Sequence, residues 1–289
     1  MTPTHADGIN RTQVAVAPQQ DARSAAERRR ALMDGLRLAV GRCAILAAIL
    51  LAWWALVHFG WVDTVFIGTP SLAARYLAES FWSEVLPNAG VTLGATLIAF
   101  VLSGICGVLG GLALWEFPYV KRLVDPFLSA FNSMPRIALA PLFVLWFGIG
   151  VASKVALAFS LGFFVVLLST YAGIRNVDPV LLRLSRSLGC SGWQQFTKIM
   201  LPWAVPGVFA GFRLALIYSF LGVITSEMIA SKRGLGQLIM YYSGVLRMES
   251  VIALLVVTAV MAVAITLIAD RLEAKLLGNW TDAAPSARH

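Results

Sequence analysis

Long apolar runs, separated by short polar stretches, dominate the chain from residue 36 onward. A helix needs ~20 mainly apolar residues to cross a bilayer, and the gaps between charged residues supply six runs of about that length. We therefore predict an all-α fold, a polytopic transmembrane helical bundle of about six spans. The predicted spans are 36–62, 85–115, 126–147, 155–174, 204–229 and 250–269.

The polar segments around these runs differ in character. Residues 1–35 have no apolar periodicity, so we expect a disordered cytoplasmic tail there, and residues 276–289 form a second cytoplasmic tail. Residues 63–84 are expected to form a periplasmic segment with a short amphipathic helix around Ser71–Trp82. The remaining residues, 85–275, form a core with five spans.

Two features inside the core change this simple picture. Pro135 and Pro141 are expected to break the third span, because proline removes a helical hydrogen bond. The second span carries a small residue at every fourth position, a pattern that lets a neighbouring helix approach closely. Close packing is the first interpretation of this stripe and a substrate path is the alternative; its members are Ala95, Ala99, Ser103, Gly107 and Gly111.

Residues 178–202 form the longest charged and amphipathic passage between the spans. Asp178 stands before a proline and is expected to cap a helix, and Gly189 can supply the left-handed residue that closes it. Ser191, with Gln194 three residues later, predicts a capping box that opens a second helix. The pattern predicts two short helices joined at Gly189, which we call the elbow (178–202), with its apolar side inward and its polar side in water.

Composition excludes a soluble protein. Hydrophobic residues make up 58% of the chain and charged residues 13%, whereas soluble domains carry about 25% charged residues. Most Lys and Arg residues outside the spans lie on the side of the elbow and the termini, so the positive-inside rule places these in the cytoplasm. The net charge of +8 is explained by this topology, and no nucleic-acid partner is expected. Five basic residues are assigned to the outside, and the last three of them run against the rule: Arg75, Lys154, Lys232, Arg233 and Arg247.

The chain carries no sequence pattern of an enzyme. It contains no G-x4-G-K-[ST] phosphate-binding loop and no H-E-x-x-H zinc motif, so we expect no catalytic residue, no metal and no other cofactor. Charged residues inside spans are costly and usually face a bundle interior or a cavity. Arg136, Arg213 and Glu227 are therefore candidates for a translocation path. The alternative is structural pairing, in which Glu227 pairs with Lys232 or Arg233.

The elbow matches the cytoplasmic signature EAA-x3-G-x9-I-x-L-P of importer permeases. Its conserved glycine, isoleucine, leucine and proline correspond to Gly189, Ile199, Leu201 and Pro202, whereas Arg183-Leu184-Ser185 stands in place of EAA. Similar phrases lie at 124–150, 173–179 and 226–239. Over roughly residues 65–275 the chain resembles permease subunits of bacterial ATP-binding-cassette (ABC) importers, in the sulfonate/taurine/nitrate branch.

This resemblance implies a MetI-like type I importer fold in the bacterial inner membrane, with both termini cytoplasmic. It implies that the elbow is a coupling helix that docks on a separate ATPase, and that the chain itself hydrolyses no ATP. The coupling residues would be Arg183, Arg186, Ser187, Gly189, Gly192, Ile199 and Pro202. Both arginines have the alternative of being solvated topology charges.

The partners implied are two cytoplasmic ATP-binding subunits, an extracytoplasmic substrate-binding protein and a second permease chain, most simply as a homodimer, within membrane lipid. The implied substrate is a small anion such as an aliphatic sulfonate, taurine or nitrate. Neighbours in the same branch also take up thiamin-pyrimidine precursors and other small nitrogenous compounds, which are the alternative. A self-sufficient secondary carrier or channel is the alternative function, and a non-transporting scaffold is a third. A carrier would need ion-coupling acids in the membrane, where Glu227 is nearly the only candidate, and it would leave the elbow unexplained.

Overall fold

The computed structural model describes residues 17–281, and helices account for nearly all of that range. Twelve α-helices follow one another along the described chain, joined by turns and three short helical segments of other pitch. In order they are α1 Ala17–His58, α2 Thr64–Ile67, α3 Pro70–Ser80, α4 Leu86–Glu116, α5 Pro118–Ser133, α6 Ala140–Phe147, α7 Val151–Arg175, α8 Pro179–Ser187, α9 Gly192–Gln195, α10 Leu201–Ile229, α11 Leu235–Gly244 and α12 Met248–Thr281. The other segments are π-helical turns at Phe81–Val85 and Phe196–Met200 and a 3-10 turn at Arg136–Leu139.

The chain divides into two compact units between Val62 and Asp63. The first unit contains α1, which begins at Ala17 and so within the segment expected to be a disordered tail. Alanine, glutamine and arginine are strong helix formers, which explains this difference for residues 17–35. Residues 1–16 of the expected tail lie outside the described residues, as do residues 282–289 of the expected C-terminal tail.

The transmembrane prediction is confirmed in outline. Five continuous helical stretches are long and apolar enough to cross a membrane, and a bent pair of helices brings the number to six if it is one span. The continuous stretches are Val40–His58, Pro70–Glu116, Val151–Arg175, Gly192–Ile229 and Met248–Lys275. A helix is present as α3 where the short amphipathic helix was predicted, but a π-helical turn joins it to α4. This part of the segment expected to be periplasmic and the second span therefore form one helical run.

The third span is broken at one proline rather than two. The stretches Pro118–Ser133 and Arg136–Phe147 meet at an angle of 86°. Pro135 removes an amide donor and holds Met134 in an extended conformation (ψ 136°), which ends α5. The break expected at Pro141 is wrong, because Pro141 lies in the first turn of α6, where its missing N–H has no helical partner to lose.

The core of the second unit is formed by α4, α7 and α10. The small-residue stripe of α4 is buried along its length, as the close-packing interpretation predicts. A Cβ atom added at Gly107 would lie 2.6 Å from the Cβ of Val166, and one at Gly111 would lie 2.7 Å from the Cβ of Thr170. These glycines therefore set the distance between α4 and α7.

Gly107→Ala should destabilise the protein by about 1–3 kcal/mol, because the added methyl group overlaps Val166 and reaches the α7 backbone. Gly94→Ala in the same helix is the matched control, since a Cβ there meets nothing within 4 Å. The measurement is thermal unfolding of the purified variants in detergent. Equal melting temperatures for the two variants would contradict the packing role of Gly107.

Candidate coupling elbow and membrane-embedded charges

The two helices of the elbow carry the predicted caps. The Asp178 carboxylate accepts a hydrogen bond from the Val180 amide (2.7 Å). The Gln194 amide donates to the Ser191 hydroxyl (3.3 Å), while the Gln194 side-chain oxygen accepts from the Ser191 amide (2.9 Å). Gly189 has a φ of 77° and lies directly after the C-cap of α8. The predicted caps and the left-handed glycine of the elbow are thus confirmed.

A buried hydrogen-bond network ties the elbow helices together. The Gln195 side-chain amide donates to the Ser185 hydroxyl (2.5 Å) and to the Leu182 carbonyl (2.9 Å). Both Ser185 and Gln195 are buried. Because buried polar groups are costly to leave unpaired, these bonds fix α9 against α8 and make the elbow rigid.

The orientation of the elbow agrees with the prediction only in part. We expected its apolar side to face inward, and four residues of that side are half-buried, namely Leu181, Phe196, Ile199 and Met200. The other three, Leu184, Leu188 and Trp193, are 54%, 74% and 73% exposed. The reason is that Ser185 and Gln195 occupy the inner side of the elbow, which turns these apolar side chains outward. The result is an exposed surface that combines large apolar groups with two arginines.

The seven predicted coupling residues fall into two groups. Five of them are exposed on α8, at the junction or at the start of α9: Arg183, Arg186, Ser187, Gly189 and Gly192. Ile199 and Pro202 are instead half-buried, in the π-helical turn and the first turn of α10. This second pair joins the elbow to the membrane helix and offers less surface to a partner.

Glu227 forms a buried ion pair with Lys154. The Lys154 ammonium lies 3.0 Å from the Glu227 carboxylate, and these residues are only 2% and 1% exposed. The carboxylate also accepts from the Thr92 hydroxyl (2.9 Å) and the Gly236 amide (3.0 Å), which satisfies both of its oxygens. Four elements, α4, α7, α10 and α11, therefore meet at this ion pair.

The segment between α10 and α11 is held over this ion pair by its backbone. Lys154 also donates to the Arg233 carbonyl (2.6 Å), and the Gly234 amide donates to the Asn88 side chain (2.7 Å). Gly234 has a φ of 125°, and a Cβ there would overlap the Glu227 carboxylate. The expected pairing of Glu227 with Lys232 or Arg233 is wrong, because this turn presents the Arg233 carbonyl to the ion pair and leaves both basic side chains exposed.

Arg136 lies at the break of the third span and bonds to protein atoms. Its guanidinium donates to the Ser160 carbonyl (2.9 Å) and to the Asn132 side chain (2.8 Å). It also stands over the Phe164 ring, 4.6 Å from the centroid. These contacts hold the broken span against α7.

Arg213 is neutralised by two acids of α12. Its guanidinium lies 2.8 Å from Asp270 and 2.8 Å from Glu273, which joins α10 to α12. All three charged residues proposed for a translocation path are thus engaged in structural contacts, and the structure does not bring them together into one site. Their contribution to transport stays a prediction.

Sequence reasoning missed Lys154 and the Ser185–Gln195 pair. Lys154 follows a Gly148-Ile149-Gly150 turn and directly precedes an apolar run, so the sequence pattern indicates an exposed lysine in a loop. The one available signal was that Lys154 and Glu227 both fall at the predicted external ends of their spans. Ser185 and Gln195 are ten residues apart, and no local pattern marks them as partners.

Comparison with known proteins agrees with this architecture. The family model described as "binding-protein-dependent transport system inner membrane component" matches residues 101–278. The taurine transport system permease protein TauC of Escherichia coli (strain K12) is 29% identical over 223 residues, which are 75% of this chain and 81% of that one. The riboflavin transport system permease protein RibX of Chloroflexus aurantiacus is 29% identical over 243 residues, 84% of this chain and 90% of that one.

A solved structure shows the same fold. A chain of the MetNI methionine ABC transporter, in an inward-facing conformation, superposes with a TM-score of 0.58 at 19% identity, covering 66% of this chain and 95% of that one. The helices of the present chain therefore have the MetI-like permease fold. The protein therefore belongs to the family of inner membrane components of binding-protein-dependent transport systems, the permeases of ABC transporters.

Proposed function

We propose that the chain forms the membrane path of an ATP-driven importer and couples it to a separate ATPase through the elbow. In this arrangement two copies of the chain, two cytoplasmic ATP-binding subunits and an external substrate-binding protein make up the transporter. Both termini and the elbow face the cytoplasm. ATP-driven closure of the ATPases would move the elbows and switch the spans between inward-open and outward-open states.

The exposed face of the elbow is the observation that carries this proposal. Trp193, Leu188 and Leu184 are large apolar side chains exposed beside Arg183 and Arg186. Tryptophan and arginine are enriched at the energetically dominant positions of protein interfaces, and a contiguous exposed apolar patch marks an interaction site. The caps at Asp178 and Ser191 and the Ser185–Gln195 bond make this face stiff enough to transmit force.

The elbow and the buried ion pair argue against a self-sufficient carrier. Coupling to a proton gradient requires an ionisable group in the membrane that exchanges its proton during transport. Glu227 is already bonded to Lys154, Thr92 and the Gly236 amide. A self-sufficient carrier also leaves the rigid, apolar and basic face of the elbow without a function.

We propose a small anion as the substrate, with aliphatic sulfonates and taurine first and nitrate next. The TauC relative carries taurine in its name, whereas RibX carries riboflavin. Uptake should therefore be measured in cells that contain the chain with its ATPase and binding protein, with labelled taurine, an alkanesulfonate, nitrate and riboflavin. Uptake of riboflavin alone would contradict the anionic substrate and leave the ATPase coupling unaffected.

Photo-crosslinking tests the docking surface directly. A photoreactive amino acid in place of Leu188 should crosslink to the ATPase subunit in membranes. The same group in place of Leu145 of α6, which is 79% exposed, should give no ATPase adduct, because α6 ends at the predicted external turn. Equal crosslinking at both positions, or none at position 188, would rule out the elbow as the docking surface.

A further inference from the structure

A cavity of about 300 Å³ lies behind the elbow, between the ends of α4 and α7. Its walls come from α4, the start of α5, the end of α7, α8 and the π-helical turn after α9. Leu114, Ile174, Leu182 and Met200 supply an apolar lining. Leu182 and Met200 belong to the elbow, so whatever fills this cavity braces the elbow against the spans.

Two cations line the same cavity. Lys121 is paired with Asp125 and stands over the Tyr171 ring, 4.9 Å from its centroid. Arg175 is exposed and has no hydrogen-bond or ion-pair partner among the residues whose side chains the structure describes. None of the residues lining the cavity is acidic. Because Asp125 already neutralises Lys121, the net positive charge of the cavity comes from Arg175.

The residues around the cavity point to a position at the level of the lipid head groups. The cavity is bounded by the last turns of α4 and α7, and Trp115 and Tyr171 line it. Tryptophan and tyrosine concentrate at membrane–water interfaces. Basic pockets between spans on the cytoplasmic side are suited to anionic lipid head groups, because that leaflet is rich in them.

We propose that this cavity binds the phosphodiester head group of an anionic phospholipid. The phosphate oxygens lie between Arg175 and Lys121, and the glycerol and first acyl carbons lie against Leu114, Ile174 and Leu182. The bound lipid fills the space between the elbow and the ends of α4 and α7. The cytoplasmic position of this lipid rests on the proposed function, whereas the binding itself does not.

Quenching of tryptophan fluorescence tests this proposal on the full chain in nanodiscs of phosphatidylcholine. Phosphatidylglycerol with brominated acyl chains should give a saturable quenching step that disappears in Trp115→Phe. Arg175→Gln should raise the half-point of that step about fivefold, the effect of losing one basic residue near a membrane surface. Arg122→Gln, an exposed neighbouring charge outside the cavity, is the matched control and should leave the half-point unchanged.

The outcomes distinguish a phospholipid head group from a soluble phosphate as the bound group. Brominated phosphatidylcholine giving the same step, or equal shifts for Arg175→Gln and Arg122→Gln, would overturn the proposal. Release of the lipid by millimolar inorganic phosphate or glycerol phosphate would assign the cavity to a soluble anion instead. No ATPase is present in this experiment, so its failure leaves the proposed coupling function standing, and the reverse also holds.

Discussion

Glu227→Leu is expected to remove most of the folding stability of the protein. The substitution leaves the Lys154 ammonium buried without a carboxylate, in a position only 2% exposed. Removing one partner of a buried ion pair costs about 3–5 kcal/mol, because the remaining charge is neither hydrated nor paired. The measurement is unfolding of the purified variant in detergent micelles, followed by the loss of monodisperse protein on heating.

The double variant Lys154→Met/Glu227→Leu distinguishes a lost ion pair from a merely disturbed core. It should recover a large part of the lost stability, because replacing both members of a buried pair by apolar groups is often neutral. Glu79→Gln in the exposed Arg75–Glu79 pair is the control and should leave the unfolding temperature unchanged. Additive losses in the double variant would show that Lys154 and Glu227 do not depend on each other.

Gly189→Arg is expected to abolish ATP-driven uptake while the protein still inserts and folds. Gly189 adopts a φ of 77°, which costs other residues roughly 1–2 kcal/mol. A Cβ there meets nothing within 4 Å, so the fold itself has room for a side chain. The new arginine would distort the junction and project a third cation into the surface formed with Arg183 and Arg186. Uptake and substrate-stimulated ATPase activity are the readouts, normalised to the amount of chain in the membrane.

Gly189→Asn is the matched control for this variant. Asparagine tolerates the left-handed conformation better than other residues with a side chain, so most of the uptake should remain. If Gly189→Asn and Gly189→Arg lose uptake equally, the left-handed geometry is irrelevant and any side chain is excluded by a partner. Full uptake by Gly189→Arg would contradict the role of the elbow.

The elbow shows which features of the fold can be predicted from sequence. Its caps depend on residues within a few positions of each other, as for Asp178 and Val180 or Ser191 and Gln194. The buried side of the elbow depends on a bond between Ser185 and Gln195, which forms only once α8 and α9 pack together. The caps at Asp178 and Ser191 were therefore predicted correctly. The second helix, which was expected to stop before Pro202, continues into α10, and the apolar face was predicted only in part.

Within the membrane-spanning helices, too, local features could be predicted from the sequence and long-range contacts could not. The every-fourth-residue stripe of α4 predicts a packed face because periodicity is a property of one helix. The partner of Glu227 could not be predicted in this way, because Lys154 lies 73 residues earlier on another helix. Proximity along the chain favoured Lys232 and Arg233, but the turn at Gly234 points their side chains away. Likewise Pro135 predicts a break, whereas no local pattern in the sequence gives the 86° angle between the two helices.

Transport by reconstituted vesicles tests the central claim most directly. The chain would be reconstituted into vesicles, with its binding protein, loaded with labelled substrate, on the outside. The ATPase subunit and ATP would be present or absent on the elbow side. Each condition would be measured with and without a proton or sodium gradient. We predict uptake only when ATPase and ATP are both present, with no requirement for a gradient. Uptake driven by the gradient in the absence of the ATPase subunit would contradict the account.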